Sequence, residues 1–234
     1  MIISEKTMAI LKNFSSFSPG IFLKEGNIIR AMNDAGTIFA QATIDETIPQ
    51  DCGIYDLSMF LGYCGMTANG TALDITFNDN HFIIREETGL IRTKYYYSGE
   101  GLMKNESGAY DKTPKMPSED IRFDLSSDTL GKLLKAASFS RQDFITVGKD
   151  ADSVILGVID EKDTTAPTFQ IVTGGICEFD PDVKFNMMFN KANLQLFAGD
   201  YKASLSKRLI SHFKHESEPV EYWIALDKNS TYEG

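Results

Sequence analysis

The sequence predicts an α+β chain of two similar domains, each with two helices packed on largely antiparallel sheet. Three observations predict it. A helical segment, Ser4–Phe14 (SEKTMAILKNF), returns 123 positions later as Ser127–Ala137 (SDTLGKLLKAA), bringing Glu5 onto Asp128, Ile10 onto Leu133, Leu11 onto Leu134 and Lys12 onto Lys135. Short β-rich runs separated by turn signals fill most of the remaining chain. Between the repeats lies Ser98–Pro117, with three Gly and two Pro among polar residues and no sustained period, the composition of a linker. The expected domains are therefore 1–98 and 118–234, joined by a connector over 99–117.

Each repeat helix opens on Ser followed by an acid, an N-cap with a charge suited to the helix N-terminus. Thr7, Ile10, Leu11 and Phe14 share one apolar face, as do Leu130, Leu133, Leu134 and Ala137. The first half continues with strands at Ile21–Lys24, Asn27–Met32, Thr37–Ile44 and Cys52–Tyr55. Asp56 then caps a short apolar helix, Leu57–Cys64, before strands at Ala72–Phe77, His81–Glu86 and Leu90–Tyr97. In the second half, strand Ile121–Asp124 precedes the repeat helix, and strands follow at Phe144–Gly148, Ser153–Ile159, Thr168–Thr173 and Val183–Phe189. Asn190 is expected to cap a second short helix, Lys191–Phe197, and strands Tyr201–Ser206, Leu209–Phe213 and Val220–Asp227 close the unit. The polar tail from Lys228 is expected to be mobile. Helices this short need a sheet to bury their apolar faces.

The composition, 42% hydrophobic and 24% charged over 234 residues, is that of a soluble globular protein. No apolar run approaches a membrane span and no signal-peptide core opens the chain, so the expected location is the cytoplasm. Cys52, Cys64 and Cys177 are widely spaced and are expected to be buried thiols. A net charge of −10 argues against a simple electrostatic nucleic-acid binder, but not against one that keeps a basic inner surface and an acidic outer one.

Read end to end, the chain resembles the DNA polymerase sliding clamps of T-even-like tailed bacteriophages and, more distantly, proliferating-cell nuclear antigen. The residues that carry the likeness are LKNF at Leu11–Phe14, GIFLKEG at Gly20–Gly26, IYDLSMFLG at Ile54–Gly62, LLK at Leu133–Lys135, FNKANLQLFAGDYKASL at Phe189–Leu205 and EYWIALDKNST at Glu221–Thr231. The resemblance implies a homotrimeric ring of pseudo-sixfold symmetry around duplex DNA. Helices would line the hole, the replicative polymerase would ride on the ring, and an ATP-driven clamp loader would place it. It implies no catalytic residue and no cofactor, and it extends to viral late transcription in a host-cell cytoplasm.

On that reading Lys6, Lys12, Lys132, Lys135, Arg141 and Lys191 are the DNA-facing cations, weak phosphate contacts that permit sliding. Met32, Trp223, Ile224, Ala225 and Leu226 form a pocket for partner peptides, with Trp223 as anchor. Leu90–Tyr97 and Thr168–Thr173 read as edge strands that pair between subunits, through Leu90, Arg92, Tyr95 and Tyr97 on one side and Phe169, Ile171 and Thr173 on the other. Two alternatives are a magnesium-dependent nuclease and an oligomeric structural protein that never touches DNA. Neither has local support. There is no GKS/T loop at Gly65 or Gly174-Gly175, His212 and His215 have no ligand-spaced Cys or acid, Asp180 and Asp182 sit in a Pro-containing loop, and His81 is the only other histidine.

Overall fold

A computed structural model describes residues 1–68, 73–86, 89–99, 101, 111–159, 163, 165–173 and 178–233. Most of the expected connector lies outside the described residues, as do Ala72, Glu87-Thr88, Gly174-Gly175 and Cys177. The chain divides into two compact units, Met1–Thr113 and Pro114–Gly234.

The first unit runs β1 (Ile2–Ile3), α1 (Glu5–Phe14), β2 (Ile21–Leu23), β3 (Gly26–Met32), β4 (Ile38–Ile48), β5 (Cys52–Ile54), α2 (Leu57–Ala68), β6 (Leu73–Phe77), β7 (His81–Glu86) and β8 (Arg92–Tyr96). Strands β1, β6, β7 and β8 form a sheet in that order, β3 pairs with β4, and β2 with β5, all antiparallel. At Gly53, β5 is also bridged by Ser98, and the backbone passes so close that a Cβ at Gly53 would meet the Ser98 carbonyl. Helix α1 buries Thr7, Ile10, Leu11 and Phe14. Its N-terminus is closed twice. Ser4 Oγ accepts from the Thr7 amide, and Glu46, reaching from β4, accepts from the Ser4 amide and from Thr7 Oγ1 at 2.6 Å. Burial raises the Glu46 carboxyl, but the hydrogen bonds from Ser4 and Thr7 outweigh it and leave the group below its ordinary value. Helix α2 runs one turn past its expected end at Cys64 and buries Leu57, Phe60, Cys64 and Thr67.

The second unit runs β9 (Ile121–Leu125), α3 (Ser127–Phe139), β10 (Phe144–Asp150), β11 (Ser153–Val158), β12 (Phe169–Val172), β13 (Glu178–Phe179), β14 (Lys184–Asn190), a 3-10 turn (Lys191–Asn193), β15 (Tyr201–Ser206), β16 (Ile210–His215), β17 (Val220–Ala225) and β18 (Thr231–Glu233). One antiparallel sheet has the order β12-β11-β10-β14-β18, and a second set runs β13-β9-β15-β16-β17. Leu130 and Leu133 of α3 meet Phe123, Ile145, Leu156, Phe189 and Phe213 in the core.

Three expectations are corrected here. The α3 cap is Ser126, whose Oγ accepts from the Thr129 amide, while the Ser127 amide donates to Asp200. The caps thus correspond at a spacing of 122 and the buried faces at 123. The expected helix Lys191–Phe197 is a single 3-10 turn. Asn190 does cap it, but the Phe197 amide donates to the Tyr222 hydroxyl and its carbonyl accepts from Tyr201, so tertiary partners take the groups a helix would have used. The expected mobile tail is strand β18 on β14, with Tyr232 stacked on Phe185.

Candidate functional site

Lys12 and Lys135 occupy equivalent positions on the exposed faces of their helices, and among the described residues no acid lies in ion-pair range of either. Lys12 lines a groove of about 450 Å³ between α1 and α2, together with Ala9, Gly62 and Gly65. The other expected cations are placed differently. Lys132 pairs with Asp128 at 2.6 Å, Lys6 is half-buried, and Arg141 lies past the end of α3 with φ 56°. Lys191 is held against the α3–β10 loop, its Nζ donating to the Gln142 carbonyl at 2.6 Å with Asp143 at 3.6 Å. Lys191 is therefore a loop tether and not part of a cationic helix face.

Strands β8 and β12 each end their sheets. The pairing register decides which groups they offer outward. The Thr173 amide donates to the Val154 carbonyl, so by alternation Ile171 and Phe169 bond inward to β11 while Gln170 and Val172 point their amides away from the sheet. On β8 the Tyr97 amide donates to Asn80, so Thr93 and Tyr95 bond to β7 and Arg92, Lys94 and Tyr96 face out. Two of the expected interface side chains are thereby corrected. Tyr95 is buried between Phe60 and Phe82 with its hydroxyl donating to the Asp56 carbonyl, and Thr173 is buried with its hydroxyl on Val154. Tyr97 is half-buried against Phe82, Ile171 is half-buried, and Leu90, Arg92 and Phe169 are exposed.

The expected peptide pocket is corrected in part. Ile224 is fully buried, and Trp223 and Leu226 are buried too, the indole lying flat on His212 at 4.6 Å between ring centres. None of the three is a free surface. Met32 and Ala225 are half-buried. His212 and His215 are each committed: His212 Nε2 meets Glu221 at 2.9 Å, and His215 bridges the Ala198 carbonyl to the Ser217 and Glu218 amides. Burial pushes the Cys52 and Cys64 thiols up to about 12, which makes both poor nucleophiles at neutral pH. Among the described residues no three His, Cys, Asp or Glu side chains converge on a common point, and no helix is long and apolar enough to cross a membrane.

Two α+β units with polar helix faces and open strand ends are the fold of a DNA clamp. Solved structures with this fold include proliferating cellular nuclear antigen from Entamoeba histolytica (17% identity, TM-score 0.69, 94% of both chains covered) and that from Thermococcus kodakaraensis (13%, 0.72, 97% and 99%). A third is that of A. fulgidus bound to the C-terminal region of FEN-1 (13%, 0.69, 99% and 100%). The DNA polymerase processivity factor family matches residues 4–88, and the C-terminal domain of the gp45 sliding clamp matches residues 122–228. The sliding clamps of Escherichia phage RB69 and Enterobacteria phage T4 are each 27% identical over the whole of both chains, and that of Vibrio phage KVP40 is 27% identical over 97% of this chain and 99% of its own. The chain belongs to the phage sliding-clamp family, non-enzymatic scaffolds that serve DNA polymerase on DNA.

Proposed function

We propose that three copies join head to tail, β8 of one to β12 of the next, into a closed ring that encircles duplex DNA irrespective of sequence and tethers the replicative polymerase. The observation that supports it most is that β8 in one unit and β12 in the other each end a sheet, since an unpaired row of amides and carbonyls is a template for another chain. A contact between two different patches closes into a ring when its rotation permits. The lysines at 12 and 135 then form a thin cationic lining, while the acidic excess stays outside. An ATP-driven loader opens the ring, and partner tails dock at the half-buried end of β17 around Ala225. Work in the host-cell cytoplasm and service to late transcription belong to the same reading.

Topology supplies the test. Clamp loaded on closed circular DNA should survive a salt challenge and be lost within minutes when the circle is cut, by sliding off the ends. Loss that follows salt but not DNA ends defines an ordinary electrostatic binder and rejects the ring.

A further inference from the structure

We propose that the sheet face carrying Arg85, Arg92, Lys94 and Tyr96 binds single-stranded nucleic acid, on the side of the first unit turned away from both its helices. The pairing register brings these residues together. Arg85 of β7 lies directly opposite Arg92 of β8, Ile83 opposite Lys94 and His81 opposite Tyr96, so all six side chains share one face. The other face of the same sheet is core. There Phe82 and Tyr95 meet Phe60 of α2, and Ile75 and Phe82 share the interior with Leu11 of α1. On the ring reading the helices line the hole, so the Arg85–Tyr96 face looks away from the enclosed duplex. The proposal concerns a second, open site on a single subunit.

Charge and rings together define the occupant. Like charges directly opposite one another destabilise a sheet, and Arg85 and Arg92 are such a pair. Among the described residues no carboxylate forms an ion pair with Arg85, Arg92 or Lys94. Asp74 stands opposite Arg85 on β6, but its Oδ1 accepts from the Met1 amine at 2.7 Å. Three uncompensated cations on one face, in a chain of net charge −10, ask for an anion. Their field reaches His81, which is held below its ordinary value by partial desolvation first and then by Lys94 and Arg92, with Asp79 opposing. The rings narrow the choice of anion. Tyr96 is 60% exposed, Lys94 Nζ lies 4.7 Å over the centre of its ring, and the His81 ring is 5.8 Å away. Cations around an open aromatic ring match a single strand, whose phosphates take the cations while an unstacked base takes the ring. A duplex keeps its base faces covered, and an acidic peptide would use the cations and leave the ring idle.

The test is fluorescence anisotropy of a labelled oligothymidylate of about twenty nucleotides, titrated with the purified chain from about 50 mM salt upward. The parent should bind with a log–log salt slope of about −2, three cations at roughly 0.7 each for a single strand. Arg85→Ala with Lys94→Ala should weaken binding about tenfold or more and bring the slope to about −0.7. Tyr96→Leu should weaken it about fivefold or more with the slope unchanged, the signature of a lost stacking partner. None of these side chains is in the core, so melting and solution mass should match the parent. Crosslinking an oligonucleotide that carries 5-iododeoxyuridine should place the adduct on Tyr96 or His81. Any one of three results overturns the site: no binding by the parent at the lowest salt, equal binding by the parent and the Arg85→Ala, Lys94→Ala variant, or a polyglutamate peptide that competes as well as unlabelled oligothymidylate while Tyr96→Leu binds like the parent. The last result defines a surface for acidic protein segments. The ring reading survives each of them, because retention on closed circular DNA is measured separately.

Discussion

Val172→Pro separates the seam from the fold. The Val172 amide points away from β11, so proline there removes no hydrogen bond within the subunit, and an end strand tolerates it. In a ring the same change removes one of the two outward donors of β12 and leaves a carbonyl of the neighbour unpaired at the seam. A buried acceptor without its donor costs about 1–3 kcal/mol, roughly 5- to 150-fold per seam, and three seams make it about 3–9 kcal/mol for the trimer. Ile171→Pro is the contrast. Its amide bonds inward in the pair with Leu156, so it should lower the melting temperature before it affects assembly. Light scattering across a concentration series, together with thermal melts, reads both effects. Trimers of Val172→Pro that dissociate at the parent's concentration would refute the assignment of outward amides, and with it the β8–β12 seam.

Glu46→Ala should cost about 1 kcal/mol in urea unfolding, allowing for the partial exposure of its hydrogen bonds to Ser4 and Thr7. Because the folded carboxyl titrates below the ordinary glutamate value, its contribution is complete above that value and is lost as pH falls through the folded one, so the parent and Glu46→Ala curves should converge in acid. Gly199→Ala should destabilise by about 2–4 kcal/mol, because φ is 148° and the added Cβ would strike the His215 ring; an unchanged melt would show that the loop can move aside. Lys12→Ala with Lys135→Ala should lower the salt slope of DNA binding by about 0.9 for each phosphate no longer neutralised, with no change in melting, and an unchanged slope would place DNA elsewhere.

Much of the fold was legible because its helices and strands carry strong local signals. Helices α1 and α3 announce their buried stripes, α1 announces its cap as well, and the strands sit between turn residues. The misses share one cause, which is that partners distant in sequence decided the outcome. Tyr201 and Tyr222 claim the backbone of Phe197 and stop the expected helix, and β14 recruits Thr231–Glu233 into a strand. Ser126 rather than Ser127 caps α3, because Asp200 from the β15 side takes the Ser127 amide. No helical period contains that information.

The site was legible in kind and not in detail, and strand parity explains the difference. A run such as TFQIVT can be read as an edge strand from its composition, but which of its amides face a neighbour depends on its register with β11. A slip of one residue exchanges Ile171 for Val172 as the outward donor. Side chains follow the same rule: Tyr95 turns inward to Phe60 while Tyr96 turns out. The apolar strand end at Trp223 shows a second limit. Ile224 and Leu226 are as apolar as any docking surface, yet they are buried, and only packing distinguishes a core strand from a pocket wall. On α2 the opposite holds, because its lack of charge is visible in the sequence and becomes informative only once Met59, Tyr63 and Met66 are found on the uncovered side.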